Sequence, residues 1–367
     1  MTADATGTRR IRVLVVDDSA VMRSLLRMAL DTNPRIEVVG SAANGEEGLS
    51  EYDRLKPDLA LLDIEMPGMN GLDVLSRIRL RDRRVPVIMC STLTWRGARI
   101  TLDALSRGAT DYVSKPTAQS GFREGVGTLA RELVPKILAL FPNVVPAVHA
   151  QALVAQAGSA GSGSGAAYGY SPRVVVIGVS TGGPAALEIL LPKIPASFAL
   201  PILIVQHMPR LFTGLLAERL NGLCAVRVRE AASGVKPEPG VVDIARGDWH
   251  MELARDFRLR LNQNEPENFC RPSVDTLFRT AATATGGKLL GVMLTGMGSD
   301  GLAGCKAIRA AGGTVFAQDA ATSVIWGMPG AVVNAGLANK VLPLDGIAGE
   351  INRCVVLAAQ RAEAAAV

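Results

Sequence analysis

An Ala/Gly/Ser-rich run in the middle of the chain, VVPAVHAQALVAQAGSAGSGSGAAYGYS from Val144 to Ser171, constrains the fold more than any other feature. It carries no sustained apolar period, and its Gly/Ser half has the composition of flexible coil. On either side of it, short apolar runs alternate with stretches of helical spacing. Before it come IRVLVV (from Ile11), AVMRSLLRMA (from Ala20), DLALL (from Asp58), PVIMC (from Pro86) and a closing helix around EGVGTLARELVPKILA (from Glu124). After it the same rhythm resumes at Val174 and ends near Leu357. Strands alternating with helices predict two α/β domains, each with a mostly parallel sheet covered by helices. The length of 367 residues agrees, because it exceeds what one hydrophobic core organises. The expected boundaries are a first domain over 10–141, a linker over 142–172 and a second domain over 173–358.

Composition removes several classes. No apolar run reaches the roughly 18 residues of a membrane span, and IRVLVV ends in two aspartates rather than a signal-peptidase site. A cytoplasmic protein is expected. Cys90, Cys224, Cys270, Cys305 and Cys354 are scattered, odd in number and without a C-x-x-C pair, which predicts reduced, mostly packed thiols rather than disulfides or zinc. The formal charge of +5 does not indicate nucleic acid, since basic residues are mixed with acidic ones and only 4% of the chain is aromatic.

In the first half, Asp17 and Asp18 stand where the first strand ends, and Asp63 stands where LALL (Leu59 to Leu62) ends. Carboxyl ends of adjacent parallel strands face one crevice, so the three carboxylates are expected to converge. Their repulsion would be relieved by a hard divalent cation such as Mg2+. Ser91 after VIMC and Lys115 after DYVS place a hydroxyl and an ammonium at the same rim. Such a set suits phosphoryl transfer onto Asp63. For Asp17 or Asp18 alone, the competing reading is a helix N-cap before AVMRSLL.

VLVVDDSAVMRSLL (from Val13), LDIEMPGMNGLDVL (from Leu62), PVIMCSTLT (from Pro86) and DYVSKP (from Asp111) together resemble the receiver domain of two-component response regulators. The resemblance implies a doubly wound, five-stranded, flavodoxin-like domain. It also implies that Asp63 is the phosphoacceptor, that Asp17, Asp18 and Asp63 hold Mg2+, that Ser91 is the switch hydroxyl and Tyr112 the switch aromatic, and that Lys115 contacts the phosphoryl group.

In the second half, VVVIGVSTGGPAALEILL (from Val174) reads as buried strand, tight turn and helix. Ser180 there has three readings. GVSTG satisfies G-x-S-x-G, a turn that exposes a nucleophilic hydroxyl. A dinucleotide phosphate cradle is the second, but the glycines fall as G-x-S-x-G-G, and the next strand, ILIV, ends in Gln206 and His207 where a ribose-binding carboxylate is expected. A helix cap by Ser180 or Thr181, with Pro184 in the first turn, is the third.

A nucleophilic serine needs a base. His149 lies in the linker, and His250 in GDWHMEL has a local hydrogen-bonding role as an equal alternative. His207 ends the strand after Ser180 and is expected on the same rim. An orienting carboxylate is expected from LGVMLTGMGSDG (from Leu290), where Asp300 stands at the turn; the competing reading is a cap, by Ser299 or Asp300, on the helix LAGCKAIRAA. The order Ser, His, Asp differs from that of α/β-hydrolases.

VVVIGVSTGGP (from Val174), IVQHMP (from Ile204), FTGLLAERLN (from Phe212), GDWHMELA (from Gly247), RPSVDTLF (from Arg271), VMLTGMGSDGLAG (from Val292) and WGMP (from Trp326) closely resemble the catalytic domain of chemotaxis-type protein-glutamate methylesterases. The resemblance implies a Rossmann-like catalytic domain with Ser180 as nucleophile, His207 as base and Asp300 as orienting acid, and with Thr181 and the Met297 N–H at the oxyanion. It implies hydrolysis of receptor glutamyl methyl esters, deamidation of receptor glutamines and no cofactor at the hydrolase site. The implied partners are a chemotaxis-type histidine kinase as phosphodonor and a methylated chemoreceptor as substrate, the membrane being met only through receptors; a monomer is expected. The unphosphorylated receiver is expected to inhibit the hydrolase half. Arg246 departs from the family, which usually has proline there. A phosphorylation-controlled binding protein without catalysis is the alternative, since it would need only the first domain's residues.

Overall fold

The computed structural model describes residues 9–116, 121–142 and 172–364, and the chain divides into two compact units between positions 146 and 147. His149 and the linker expected over 142–172 lie, its two end residues apart, outside the described residues.

The first unit alternates β1 (Ile11–Val16), α1 (Ala20–Leu30), β2 (Ile36–Ala42), α2 (Gly45–Leu55), β3 (Leu59–Asp63), α3 (Gly71–Arg81), β4 (Val87–Ser91), α4 (Trp95–Ser106), β5 (Asp111–Ser114) and α5 (Phe122–Leu140). The five strands pair in parallel in the order β2-β1-β3-β4-β5. β3 and β4 are buried at every position, which is why LALLD and VIMCS are apolar without alternation: helices cover both faces. On one face Leu26, Leu30, Leu129, Leu133 and Ile137 close over Val13, Val15 and Leu61. Each fully buried leucine there contributes about 1.5–3 kcal/mol. Four strand-to-helix turns carry a side-chain cap: Ser19, Asn44, Asn70 and Thr94 each accept a backbone N–H from the first turn of the next helix. The chain leaves β1 toward β2 on one side and returns to β3 on the other, which opens a crevice between the carboxyl ends of β1 and β3.

The second unit contains β6 (Val175–Val179), α6 (Gly183–Leu190), β7 (Ile202–Gln206), α7 (Arg210–Leu223), β8 (Arg227–Glu230), β9 (Val241–Ile244), β10 (His250–Leu253), β11 (Leu259–Asn262), α8 (Val274–Thr285), β12 (Leu290–Met293), α9 (Leu302–Ala310), β13 (Thr314–Gln318), α10 (Met328–Asn334), β14 (Lys340–Leu342) and α11 (Leu344–Ala364). Seven strands form a sheet in the order β14-β13-β12-β6-β7-β9-β8, with every pairing parallel. The antiparallel part is a separate ribbon of β10 and β11. From β6 the chain builds outward through β7 and then returns to β12 on the opposite side, so the switch point of this sheet lies between β6 and β12. No helix among the described residues is long and apolar enough to cross a membrane.

Candidate active site and phosphoacceptor site

Both chemical centres stand at these switch points. In the first unit, Asp17 follows β1 and Asp63 closes β3, and both are buried. Lys115, directly after β5, lies 2.8 Å from Asp17 Oδ2 and 2.7 Å from Asp63 Oδ1. The one ammonium thus bridges the two carboxylates. Asp17 Oδ1 accepts the Ser19 N–H at 2.9 Å, and Ser19, not Asp17 or Asp18, caps α1. The capping reading of the aspartates is thereby replaced.

Burial pushes the Asp63 carboxyl up to about 6, against the opposing hydrogen bond and charge of Lys115. Burial opposes the Lys115 charge too, but the two carboxylates outweigh it and raise the ammonium above its ordinary value. Asp17, Asp18 and Asp63 bring carboxylate oxygens within 4.8 Å of one another, with Asp18 exposed at the mouth. This all-oxygen set of three carboxylates fits a hard divalent cation.

Ser91 closes β4, and its Oγ lies 2.7 Å from the hydroxyl of Thr101 on α4. Tyr112 is buried in β5, with Lys136 Nζ 5.3 Å from its ring centroid. Thr101 had no signal in the sequence: a threonine inside an amphipathic helix is unremarkable until the helix is docked.

In the second unit, β6 and β7 pair with Val179 opposite Gln206, so Ser180 and His207 are the first residues beyond adjacent strand ends. Ser180 N–H donates to Thr295 O at 3.0 Å, and Gln206 Nε2 donates to Ser180 O at 3.0 Å and to His207 O at 3.2 Å. The turn is thus held by backbone bonds, while Ser180 Oγ makes no hydrogen bond to another described residue. The N-cap of α6 is Gly182 at φ +78°, so neither Ser180 nor Thr181 occupies the capping position. Gly183 and Gly296 are needed for close approach. A Cβ on Gly183 would meet Gln206 Oε1 at 1.9 Å, and one on Gly296 would lie 2.9 Å from Ser180 Cβ.

His207 Nε2 lies 2.8 Å from Asp300 Oδ2. The ring therefore donates from Nε2, and in its neutral form the lone pair is at Nδ1, which stands 3.7 Å from Cys270 Sγ. Asp300 also accepts from Val274 N (2.6 Å), Asp275 N (3.2 Å), Ser273 Oγ (2.7 Å) and Asn268 Nδ2 (2.8 Å). Val274 and Asp275 open α8, so this carboxylate sits at the positive end of α8, while α9 starts behind Gly301 without a side-chain cap. The expected alternative, a cap on α9, is corrected to that extent.

Burial alone would favour the neutral carboxyl, but the His207 hydrogen bond and charge, with the Val274 and Ser273 donors, hold Asp300 down at about 2. Burial likewise opposes the charged imidazole, yet the Asp300 hydrogen bond, helped by Cys270, raises His207 to about 9. The imidazole, thiol and carboxylate donors of His207, Cys270 and Asp300 lie within 4.8 Å of one another, but the carboxylate is already fully engaged.

Met297 N–H has no hydrogen-bond partner among the described residues, and Thr181, buried, is tied through its carbonyl to Thr295 Oγ1 at 3.0 Å. His250 starts β10, where Nδ1 accepts the Ser273 N–H at 3.2 Å and Nε2 faces Glu265 O at 3.1 Å. Its role is the local one: it fixes the residue whose hydroxyl bonds Asp300. Arg246 lies 3.9 Å from Glu230 Oε2 and 6.0 Å from the Trp249 ring. Sequence reasoning missed Asn268, Cys270, Ser273 and Gln206. The run RPSVDTLF was the available sign for Ser273; the other three become visible only when the strand ends meet.

An acidic phosphoacceptor-type pocket on a 2-1-3-4-5 sheet, joined in one chain to a serine, histidine and aspartate at the switch point of a second parallel sheet, defines a response regulator that carries a hydrolase domain. The description "Response regulator receiver domain" matches residues 13–126 and "CheB methylesterase" matches residues 175–351. A protein-glutamate methylesterase/protein-glutamine glutaminase of Trichodesmium erythraeum is 45% identical over 94% of this chain and 99% of its own length. One of the same name from a Nocardioides species is 48% identical over 94% of this chain and 95% of its own. The crystal structure of the Thermotoga maritima CheB methylesterase catalytic domain is 41% identical, covers 50% of this chain and 98% of that one, and gives a TM-score of 0.48. The chain belongs to the CheB methylesterase family, with its receiver domain at the N-terminal side.

Proposed function

We propose that this protein releases methanol from glutamyl γ-methyl esters and ammonia from particular glutamines on the cytoplasmic helices of chemotaxis-type receptors, at a rate set by phosphorylation of Asp63. The observation that carries this reading is the buried, five-fold hydrogen-bonded Asp300 holding His207 by Nε2 beside the strand end that presents Ser180.

In the hydrolase half, His207 Nδ1 takes the Ser180 proton as Oγ attacks the ester carbonyl carbon. The Met297 N–H and Thr181 are assigned to the oxyanion. The tetrahedral adduct collapses, the C–O bond to methoxide breaks, and His207 returns the proton so that methanol leaves. Water then attacks the acyl-serine, giving its proton to the same nitrogen, and the products are a glutamate carboxylate and free Ser180. With glutamine the leaving group is ammonia. Asp300 keeps the proton on Nε2 throughout and stabilises the imidazolium.

In the receiver half, an Asp63 oxygen attacks the phosphorus of a phosphohistidine on a histidine kinase; the O–P bond forms as the P–N bond breaks, and the kinase imidazole leaves. Asp17, Asp18 and Asp63 are the residues that would hold Mg2+, which when bound offsets charge on the transferring phosphoryl group. Lys115 balances a second oxygen, and Ser91 with Tyr112 passes the change to the surface.

The deciding experiment measures methanol release from methylated receptor membranes, with and without a small phosphodonor and Mg2+. Release that rises with the donor is expected. Release indifferent to the donor would remove the regulatory half of the reading.

Two further outcomes follow from the site. Because His207 acts as a base only when neutral and its pKa is raised, kcat/KM should climb about tenfold per pH unit from pH 6 and still be rising at 7.5. A plateau starting below 6.5 would contradict that assignment. Gly296→Ala should lower kcat by about 10²-fold, since its Cβ pushes on Ser180, and a wild-type rate would show that the neighbours yield without moving Ser180.

A further inference from the structure

We propose that Phe269 is a specificity-determining residue that docks the helical polypeptide carrying the reacting side chain, a proposal resting on the receptor-hydrolysing reading above. Glu267 and Cys270 close a two-residue turn, with Cys270 N donating to Glu267 O at 2.9 Å and Glu267 N to Cys270 O at 3.1 Å. Both central residues have positive φ, +53° at Asn268 and +62° at Phe269, the pattern of a type I′ turn. Asparagine tolerates that region, whereas a bulky aromatic rarely adopts it, and Asn-Gly is the pair such a turn favours. The chain therefore holds a locally unfavourable residue here, and strain of this kind points to use elsewhere.

Among the described residues of the second unit nothing uses the ring: Phe269 is fully exposed, the most exposed of the large hydrophobic side chains described. Nor is it a loose loop tip. Asn268 Nδ2 donates to Asp300 Oδ1 at 2.8 Å and to Asp275 Oδ2 at 2.9 Å. Glu267 is clamped by Arg279 at 2.6 and 2.7 Å and by Thr276 at 3.0 Å. Cys270 Sγ stands 3.7 Å from His207 Nδ1. A rigid turn thus presents a bare phenyl ring one residue from the atom that touches the proposed base. In this proposal a polypeptide delivering a side chain to Ser180 and His207 runs past it. A helix flanking the reacting residue offers aliphatic side chains three and four positions away, a surface suited to such a ring. A small ester reaches the same serine without it.

The test compares wild type with Phe269→Gly and Phe269→Leu on methylated receptor and on N-acetylglutamate γ-methyl ester. Phe269→Gly creates the favoured Asn-Gly turn, so its thermal midpoint should equal or exceed that of wild type. On the receptor its KM should rise roughly tenfold with kcat within about twofold, while turnover of the small ester stays unchanged, and Phe269→Leu should restore part of the loss. An unchanged receptor KM would overturn the proposal. So would an equal loss on both substrates, which would mean that the turn serves only to place Asp300 and His207. If wild type itself cleaves the small ester but releases no methanol from receptor, the functional reading fails and the docking role fails with it.

Discussion

Ser180→Ala is expected to lower methanol release by at least about 10⁴-fold while leaving both the fold and Asp63 phosphorylation intact. The turn at Ser180 is held by its backbone, through Thr295 O and Gln206 Nε2, and its Oγ makes no hydrogen bond to a described residue. Removing that oxygen therefore breaks nothing structural. The thermal midpoint should stay within a degree or two of wild type, as for substitutions that create no cavity and strand no polar group. The acidic pocket assigned to phosphorylation is built from residues 17, 18, 63 and 115 of the first unit, and the substitution changes none of them. Methanol release measured beside phosphorylation by a small phosphodonor separates the two halves. A variant that still hydrolyses ester would remove Ser180 as nucleophile. The second unit would then hydrolyse by some other group, and the Ser180, His207 and Asp300 assignment would fall with it.

The strand ends were legible because each is marked the same way. An apolar run stops, a turn marked by glycine or proline follows, and the polar residue at the boundary is Asp63, Lys115, Ser180, His207 or Asp300. Parallel sheets put such boundaries on one edge, so chemistry could be assigned before any distance was known. What could not be read was how each polar group is satisfied. By local pattern Asp300 looks like a cap for α9, which begins two residues later. It instead accepts two backbone N–H groups from the first turn of α8, 26 and 25 residues earlier in the chain, and that pairing exists only once α8 packs beside α9 and over β6. Asp17 failed the local rule in the same way, since Ser19 caps α1 and frees the carboxylate for the pocket. Asn268, Cys270 and Thr101 belong to this class: their partners are distant in sequence, and neither periodicity nor turn composition carries that information. The neighbour rule placed β7 beside β6, but the position of β12 on the other flank required the crossover itself.

Asp300→Asn should separate from Ser180→Ala by losing stability as well as rate. The native carboxylate is almost fully buried and has only donors around it: Val274 N and His207 Nε2 at Oδ2, and Asn268 Nδ2, Ser273 Oγ and Asp275 N at Oδ1. An amide replaces one acceptor by two N–H groups, so whichever way it is turned, at least one backbone donor of α8 faces another donor. Leaving such a buried group unpaired costs about 1–3 kcal/mol, and the lost negative charge at the helix start adds about 0.3–1 kcal/mol. Fluorescence-monitored thermal or urea unfolding should show the drop in the second unit. The rate should fall further than stability accounts for, by about 10³–10⁴-fold at temperatures where the variant is folded. An amide N–H opposite Nε2 draws the imidazole proton to Nδ1, the nitrogen that must accept from Ser180. The sign of the pH effect follows too. Loss of the carboxylate removes the main interaction that raises His207, so the residual activity should titrate at lower pH than in wild type. A variant that keeps more than a tenth of the rate with an unmoved pH profile would show that Asp300 supports the fold of α8 and leaves the proton on His207 to some other group.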